Sequence, residues 1–388
     1  MHLKGKRVVL IVLDGVGIGG SHDARLYGDE GSNTLGNVLL EEEVLLPNLQ
    51  SLGLGNLGSF RGVRREKSPR GSYGIITVRS PGKDTVTGHW EMMGIILEEA
   101  FPVFPEGFPQ WVMEEFVKET GVGYLWNKPA SGTEIIETLG REHMRTGKVI
   151  VYTSADSVFQ IASHTSVLSL ERLYSICEVT RNITDPLRIL RVIARPFAGA
   201  PGSFTRTSDR RDFPLSPPGP TVVDYLNEEG VEVISVGKVA EMFGGRGFYR
   251  NFKTKGNREG VATLVRLLEE VKRGFIFVNL NDYDMLYGHR NDVRGFANAL
   301  KEFDDLLPGI LELLDKDDLL MVSADHGNDP TFPGTDHTRE RVFLLSYKPG
   351  REGVMLGDID GFAHLGATVL HYYGINGDLS VSPLKEVL

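Results

Sequence analysis

Short runs of consecutive apolar residues alternate with amphipathic stretches along most of the chain. Because nearly every residue in these runs is apolar, they predict strands buried on both faces, which is typical of a parallel sheet covered by helices. The runs lie at 7–13, 231–236, 275–280, 319–323 and 342–346. The stretches 261–272 and 294–314 carry their apolar residues at the spacing of helices. The alternation predicts an α/β fold with a mostly parallel sheet.

Two proline-rich stretches, 101–109 and 196–220, interrupt this pattern and are interpreted as linkers. Between them the sequence predicts a second α/β set, with a strand at 149–153 and a helix near 170–182. The simplest organisation is therefore a smaller α/β domain inserted into a larger one. The expected bounds are 1–100 for the first part of the larger domain, 101–219 for the insert and 220–388 for the second part.

Three of the predicted strands end in turns that are rich in metal-ligand side chains. The carboxyl ends of such strands meet at one crevice, so these turns are expected to converge. They and the loop that follows supply Asp14, Asp284, His289, Asp325, His326 and His337. Mixed carboxylate and imidazole ligands suit Mn²⁺ or Zn²⁺ better than Mg²⁺ or Ca²⁺. Each motif alone is common as a turn or cap, but together they predict two divalent ions able to support an in-line phosphoryl displacement.

The glycine-flanked segment 82–91 offers a nucleophile for such a displacement. A threonine hydroxyl beside a divalent ion loses its proton readily and can attack phosphorus to form a covalent phosphoenzyme. Taken by itself, the segment favours a helix N-terminus capped by Thr85 or Thr87. Beside the metal motifs, Thr85 becomes the candidate nucleophile.

Residues 15–20 match the pattern G-x-G-x-x-G of dinucleotide-binding loops. The residues that follow, 21–31, are poor helix formers, so no helix N-terminus would meet a pyrophosphate. Asp14, directly before the glycines, would repel it as well. The glycines are therefore interpreted as a tight loop that permits close approach of the backbone, and a dinucleotide site is rejected.

Charge and composition narrow the function further. The formal net charge of −10 argues against non-specific nucleic-acid binding. No apolar run approaches the roughly 20 residues of a membrane helix, and no signal peptide is evident, so a cytoplasmic protein without membrane partners is expected. The single cysteine, Cys177, excludes an intrachain disulfide and is expected to be a buried core residue. Arg195 and Arg206 supply local positive charge for an anionic substrate, whereas Arg210 and Arg211 are expected in a solvated loop.

With these motifs, the chain resembles the phosphopentomutases of the alkaline phosphatase superfamily along nearly its whole length. The metal motifs indicate only the superfamily. The stretches 127–134 (Asn-Lys-Pro-Ala-Ser-Gly-Thr-Glu) and 87–94 (Thr-Gly-His-Trp-Glu-Met-Met-Gly) are more specific to the mutases. The chain departs from the family pattern at Gly15, Asn33, Asn37 and 281–282, and none of these departures removes an expected ligand.

The resemblance implies a role for each candidate residue. Asp14, Asp325 and His326 would hold one Mn²⁺ together with Thr85, which would be the phosphorylated residue. Asp284, His289 and His337 would hold the other. The insert would be a cap whose Ser154, Asp156, Arg195 and Arg206 face the sugar, although Asp156 could equally cap a turn. Lys238 would lie on the phosphate side.

The implied reaction interconverts ribose 1-phosphate or deoxyribose 1-phosphate with the 5-phosphate. It would pass through a phosphothreonine and a pentose 1,5-bisphosphate, with glucose 1,6-bisphosphate or ribose 1,5-bisphosphate as primer. The nearest alternative is a phosphomonoesterase that uses water as acceptor. A cofactor-independent phosphoglycerate mutase, for which a serine nucleophile is expected, and a catalytically inactive metal- or nucleotide-binding scaffold are the others. The sequence does not indicate the oligomeric state.

Overall fold

The computed structural model describes residues 6–154 and 156–388. The chain folds into two compact units. The smaller unit is Ala100–Ser216, and the larger unit combines the chain up to Glu99 with Pro217–Leu388. Among the described residues, no helix combines the length and the apolar character that crossing a bilayer requires.

The secondary structure covers both units. The strands are β1 (Lys6–Leu13), β2 (Gly17–Gly20), β3 (Ser72–Thr77), β4 (Tyr124–Pro129), β5 (Val149–Thr153), β6 (Val158–His164), β7 (Arg191–Ala198), β8 (Thr205–Arg206), β9 (Arg211–Pro214), β10 (Val233–Val236), β11 (Arg250–Phe252), β12 (Arg273–Leu280), β13 (Leu319–Ser323), β14 (Glu340–Tyr347) and β15 (Met355–Asp360). The α-helices are α1 (Thr34–Glu41), α2 (Pro47–Ser51), α3 (Thr85–Met92), α4 (Gln110–Thr120), α5 (Gly132–Thr146), α6 (Leu170–Thr184), α7 (Val222–Glu228), α8 (Val239–Met242), α9 (Asn257–Glu270), α10 (Val293–Glu312) and α11 (Ala363–Tyr373).

The larger unit is built on one mostly parallel sheet, in the order β11-β10-β12-β1-β13-β14-β3-β15. From β11 to β13 all neighbours are parallel, and β1 lies in the middle with every residue from Val8 to Leu13 fully buried. This confirms the predicted α/β fold. The helix α10 packs against α9, and its buried apolar stripe includes Phe296, Leu300 and Phe303.

One predicted strand has the wrong direction. The run at 342–346 does form a strand, β14, but it is antiparallel to both β13 and β3. Burial on both faces makes a strand apolar whatever its direction, so the pattern could not separate the two cases. The connection from β13 to β14 contains no α-helix to carry the chain back across the sheet, and the chain therefore returns antiparallel.

The smaller unit has its own sheet, in the order β4-β5-β6-β7-β8, with β9 paired to β7. On one face α4 and α6 cover a cluster that includes Phe116, Phe159 and Cys177, which confirms Cys177 as a buried core residue. On the other face α5 covers a second cluster that includes Tyr152 and Phe197. The two faces therefore present different side chains, and only the second carries arginines discussed below.

The interpretation of 196–220 as a linker is wrong over much of its length. Strand β7 continues through Pro196 to Ala198, and β9 pairs with β7 in antiparallel register. Pro196 lacks an N–H, but its carbonyl still accepts a hydrogen bond from Thr207 N (3.0 Å). A proline whose missing donor is not needed can stay in a strand, so composition alone overstated the break.

Candidate metal centre

Three neighbouring strands deliver the candidate ligands to one edge of the large sheet. In the parallel register Leu13 is opposite Leu280, and Val12 is opposite Ser323. The residues directly after these positions therefore leave β1, β12 and β13 side by side. Asp14 and Asp325 are each only 2% exposed, and Asp284 is 9% exposed. Carboxylates this deeply buried need a cation or a proton near them.

The first group of ligand atoms lies around the end of β1. It consists of Asp14, Asp325 and His326, whose ligand atoms lie within 4.8 Å of one another. His326 Nε2 is 3.2 Å from Asp14 Oδ1. The Thr85 hydroxyl completes the group, 3.1 Å from His326 Nε2 and 3.4 Å from Asp14 Oδ1. The four residues expected from the resemblance thus lie together.

The second group lies around Asp284. His337 Nε2 is 3.1 Å from Asp284 Oδ1, and His289 Nε2 is 3.3 Å from Asp284 Oδ2. His326 also lies within 4.8 Å of the ligand atoms of Asp284 and His337, so its ring stands between the two groups. The three residues expected for the second ion are therefore adjacent, with a fourth candidate ligand beside them.

Two of the imidazoles are oriented as metal ligands are. The Nδ1 atom of His289 lies 2.6 Å from Thr335 O, and that of His326 lies 3.0 Å from Gly327 O. A carbonyl only accepts, so Nδ1 carries a proton in each ring, and Nε2 is the atom that would bind a cation once its own proton has left. Backbone carbonyls that fix the tautomer in this way are typical of metal-bound histidines.

Without a cation, protons must balance the charge. The hydrogen bond with Asp284 is the main reason that the pKa of His289 rises to about 9. Burial opposes ionisation of Asp284, but His337, His289 and His326 together hold the pKa of that carboxyl well below its usual range. Burial and the charge of Asp325 raise the pKa of Asp14. A divalent ion would displace these shared protons and relieve the repulsion between the carboxylates.

The buried donor atoms of the site fit divalent cations. Asp325 Oδ2 and His337 Nε2 make no hydrogen bond of good geometry within the described part of the chain, and their near neighbours are His89 Nδ1 (3.2 Å) and Asp284 Oδ1 (3.1 Å). Both atoms belong to the two candidate groups. Carboxylate oxygens and imidazole nitrogens are also the donor set that suits Mn²⁺ or Zn²⁺.

Thr85 is free for chemistry because another residue caps its helix. The N-cap of α3 is Asp84, whose Oδ1 accepts from Val86 N (3.1 Å) and Thr87 N (3.0 Å). The expectation that Thr85 or Thr87 caps the helix is therefore wrong. An ionised aspartate is a strong N-cap, and it leaves Thr85 as the first residue of the helix, where the helix dipole favours negative charge.

The turn that carries Thr85 is held from the side of β14. Arg339 donates from Nη2 to Asp23 Oδ2 (2.9 Å) and from Nη1 to Ser80 O (2.8 Å) and Gly82 O (2.5 Å). Lys83 bridges Asp29 and Asp336 at 3.1 Å each. The turn before Thr85 and the loop before His337 are thus held by the same basic side chains.

The glycine segment after Asp14 is only partly a tight loop. Gly17–Gly20 forms the short strand β2, which pairs with β14, so the interpretation of these residues as a loop is wrong. Gly15 does make a close approach, because its φ of 80° and a Cβ only 3.1 Å from Asn328 Cβ would strain any other residue. The backbone of this segment therefore lies close to the candidate ligands, and no helix begins here whose N-terminus could bind the pyrophosphate of a dinucleotide.

Two asparagines that the sequence analysis did not assign orient the ligands. Asn279 Nδ2 donates to Asp14 Oδ2 (2.9 Å), and Asn328 Nδ2 donates to Asp284 Oδ1 (2.7 Å). Each fixes one carboxylate from behind. Asn279 could have been recognised from the sequence, because it is a polar residue inside the otherwise apolar run that forms the end of β12.

We expect Asn279→Ala to weaken metal binding about 10–100-fold, because the Asp14 carboxylate loses the donor that orients it. The measurement is a titration of the metal-free protein with Mn²⁺. Asn251→Ala is the matched control, since the Asn251 side chain accepts from Ser235 Oγ (2.8 Å) at the far edge of the sheet. Equal losses of affinity in both variants would contradict the positioning role of Asn279.

The remaining expected substrate residues lie in different parts of the chain. Lys238, in the larger unit, has its Nζ 3.3 Å from Met285 Sδ, next to Asp284. The other four all belong to the smaller unit: Ser154, Asp156, Arg195 and Arg206. Arg210, expected in a solvated loop, is exposed and pairs with Asp212 through Nε (2.6 Å) and Nη2 (2.7 Å).

Comparisons with known proteins agree with this geometry. The sequence profile of the metalloenzyme superfamily matches residues 6–377. A phosphopentomutase from Anaeromyxobacter dehalogenans is 52% identical, with 100% of both chains covered. Another from Caldanaerobacter subterraneus is 52% identical over 95% of each chain. Among solved structures, a protein from Pyrococcus horikoshii (TM-score 0.51, 14% identity, 98% and 100% covered) and phosphoglycerate mutase from Leishmania mexicana (TM-score 0.50, 12% identity, 98% of both chains covered) share the fold.

The fold and the paired ligand groups define a metal-dependent enzyme of the metalloenzyme superfamily, which includes the alkaline phosphatases. Its closely matching relatives narrow this to a phosphomutase, which is an isomerase. The chain belongs to the phosphopentomutase family.

Proposed function

We propose that this protein interconverts ribose 1-phosphate, and deoxyribose 1-phosphate, with the corresponding 5-phosphate through a phosphothreonine at Thr85. The observation that carries the proposal is the position of the Thr85 hydroxyl, 3.1 Å from His326 Nε2 and 3.4 Å from Asp14 Oδ1. Because Asp84 caps the helix, this hydroxyl has no structural duty at the helix terminus. The choice of a pentose phosphate as substrate follows from the names of the relatives, and the choice of Thr85 as nucleophile follows from the geometry of the site.

In the proposed reaction the Thr85 Oγ1–P bond breaks as a sugar O–P bond forms, which gives a pentose 1,5-bisphosphate. The other phosphoryl group of that bisphosphate then returns to Thr85. A trace of glucose 1,6-bisphosphate or ribose 1,5-bisphosphate is needed as primer, because Thr85 must begin phosphorylated. Such transfer depends mainly on positioning and charge stabilisation.

The candidate ligands would hold two divalent ions, for which the donor set favours Mn²⁺. One ion would rest on Asp14, Asp325 and His326, and the other on Asp284, His289 and His337. Bound there, the ions would supply charge neutralisation for the phosphoryl group in flight. The protein itself fixes the ligands through Asn279 and Asn328, and it presents Thr85 on the first turn of α3, where its hydroxyl donates toward Asp14 Oδ1.

The smaller unit would act as a cap that keeps water from the phosphoenzyme. Ser154, Asp156, Arg195 and Arg206 would contact the sugar and its phosphate, and Lys238 would contribute from the larger unit. Exclusion of water is what separates a mutase from a phosphomonoesterase with the same metals and nucleophile. The phosphomonoesterase therefore remains the competing outcome of the test.

The test is to incubate the protein with Mn²⁺, a trace of sugar bisphosphate and ribose 5-phosphate, and to follow the sugar phosphates by phosphorus NMR. Ribose 1-phosphate growing to equilibrium with little free phosphate is the expected result. Steady release of inorganic phosphate would replace the mutase with the phosphomonoesterase. No change with any of several metals would overturn the proposal.

A further inference from the structure

A buried histidine, His89, lies between the helix that carries Thr85 and the candidate metal ligands. It belongs to α3, one turn after Thr85, and its side chain is fully buried. It is not itself a candidate ligand. Because a buried imidazole needs a partner at each ring nitrogen, the atoms around the two nitrogens show what His89 holds in place.

The Nδ1 atom of His89 faces two acceptors. It lies 2.9 Å from Thr85 O and 3.2 Å from Asp325 Oδ2. A carbonyl only accepts, so Nδ1 carries a proton. One N–H group is thus placed between the backbone of the candidate nucleophile and the carboxylate of a candidate ligand.

The Nε2 atom, at the far side of the ring, faces Asn279. Asn279 Nδ2 is 3.3 Å from His89 Nε2, and the same amide group donates to Asp14 Oδ2 (2.9 Å). An amide nitrogen only donates, so Nε2 is the acceptor in this contact. His89 is therefore next to Asp325 directly and linked to Asp14 through one amide group.

Packing on both sides holds the ring in this place. Phe277, which shares a face of β12 with Asn279, stacks on the His89 ring with the centroids 5.4 Å apart and an interplanar angle of 21°. On the side of α3, Gly88 permits the close approach, since a Cβ there would come within 2.6 Å of Asp325 O. The imidazole is thus fixed between α3 and β12.

We propose that His89 is a positioning residue for the divalent ion beside Thr85. Through Nδ1 it holds Asp325 and the first turn of α3 together, and through Asn279 it holds Asp14 in the same arrangement. Outer partners of this kind set the orientation of metal ligands and thereby their affinity. The role rests on the proposed function, which assigns an ion to Asp14, Asp325 and His326.

The second ion has a separate support. Asp284 is held by Asn328, and among the described residues the hydrogen-bonding contacts of His89 do not include Asp284, His289 or His337. Removing the imidazole is therefore expected to affect one ion and to leave the other.

Three substitutions of His89 test the role of each nitrogen by calorimetric titration of the metal-free, full-length protein with Mn²⁺. His89→Leu removes both nitrogens and is expected to weaken the binding of one of the two ions about 10–100-fold. In His89→Asn the amide nitrogen can take the place of Nδ1, so this variant should regain most of the lost affinity. His89→Gln places its amide at the position of Nε2 and should regain less.

His143→Leu is the matched control. His143 is also fully buried, and it makes the same two kinds of contact within the smaller unit: its Nδ1 lies 2.6 Å from Lys148 O, and its Nε2 accepts from His164 N (2.8 Å). Both ions should bind this variant as they bind the wild type. The unfolding temperature of each metal-free variant separates a loss of metal affinity from a loss of folding.

Two ions bound by His89→Leu with wild-type affinity would overturn the positioning role. Equal losses in His89→Leu and His143→Leu, or an asparagine variant no better than the leucine variant, would overturn it as well. A selective loss of one ion in His89→Leu, together with wild-type protein that lacks mutase activity, would keep the role of His89 and overturn the proposed reaction. Wild-type protein that binds fewer than two ions would overturn the metal assignment and this role with it.

Discussion

Thr85→Ala is expected to lower mutase activity by a factor of about 10⁴ or more, the scale on which loss of a covalent nucleophile acts. The reason lies in the geometry of α3. Thr85 is the one hydroxyl of the first helical turn that faces Asp14 and His326, because Thr87 is engaged by Asp84 Oδ2 at 2.5 Å. The measurement is the initial rate of ribose 1-phosphate formation by phosphorus NMR.

A second readout makes this experiment specific. Mass spectrometry of wild-type protein incubated with sugar bisphosphate should show one added phosphoryl group on the peptide that contains Thr85, and the alanine variant should show none. Thr85→Ser is the matched control, because it keeps a hydroxyl at the same place and should retain both phosphorylation and activity within about tenfold. An alanine variant that still carried out the mutase reaction would eliminate Thr85 as the nucleophile.

Asp325→Asn is expected to reduce the bound divalent ions from two per chain to one. Activity should fall by more than the roughly 10–100-fold that loss of an outer partner costs, because a direct ligand is removed. Asp325 is 2% exposed, and its Oδ2 lies 3.2 Å from His89 Nδ1 and 3.5 Å from His326 Nε2, so the substitution removes a buried negative charge that these imidazoles cannot replace. Metal content after gel filtration, measured by inductively coupled plasma mass spectrometry, checks the prediction.

The same substitution should also lower the unfolding temperature of the metal-free protein. Burial opposes ionisation of Asp325, but the charge of His326 and the hydrogen bond with His89 lower the pKa of that carboxyl, so its ionised form stabilises the folded state at neutral pH. The increase in unfolding temperature on adding Mn²⁺ should shrink as well, because one ion is lost. Asp305→Asn, on the exposed face of α10, should change none of these quantities. Full metal content in Asp325→Asn would contradict the assignment.

The sequence predicted the elements of the larger unit well where their signal was local. The run at 319–323, apolar except for Ser323, forms β13 with the same bounds, because a short apolar run between polar turns favours a buried strand. The direction of β14 could not be predicted, because a strand buried on both faces is apolar in either direction. The end of β7 and the strand β9 were missed because their sequence is rich in proline, and only the pairing of the strands shows whether the N–H group that proline lacks is needed.

The candidate site was predictable to a different degree. The six candidate ligands, three carboxylates and three imidazoles, could be found because they follow strands that end at one edge of the sheet, and the structure places them close together. The capping role of Asp84 and the hydrogen bonds from Asn279 and Asn328 could not be predicted. Each depends on a side-chain conformation, which the spacing of residues in the sequence does not indicate.

The position of β1 in the larger sheet has a consequence for the order of folding. Its neighbours come from the far end of the chain, since Lys6 pairs with Arg273 and Val8 pairs with Leu319. Contacts that close such long loops form slowly, whereas the contacts of the smaller unit lie within Ala100–Ser216. During synthesis the apolar strand β1 therefore stays unpaired until β12 and β13 have left the ribosome. The edge of the sheet that carries the candidate ligands can be completed only after the segment with His337 has been synthesised.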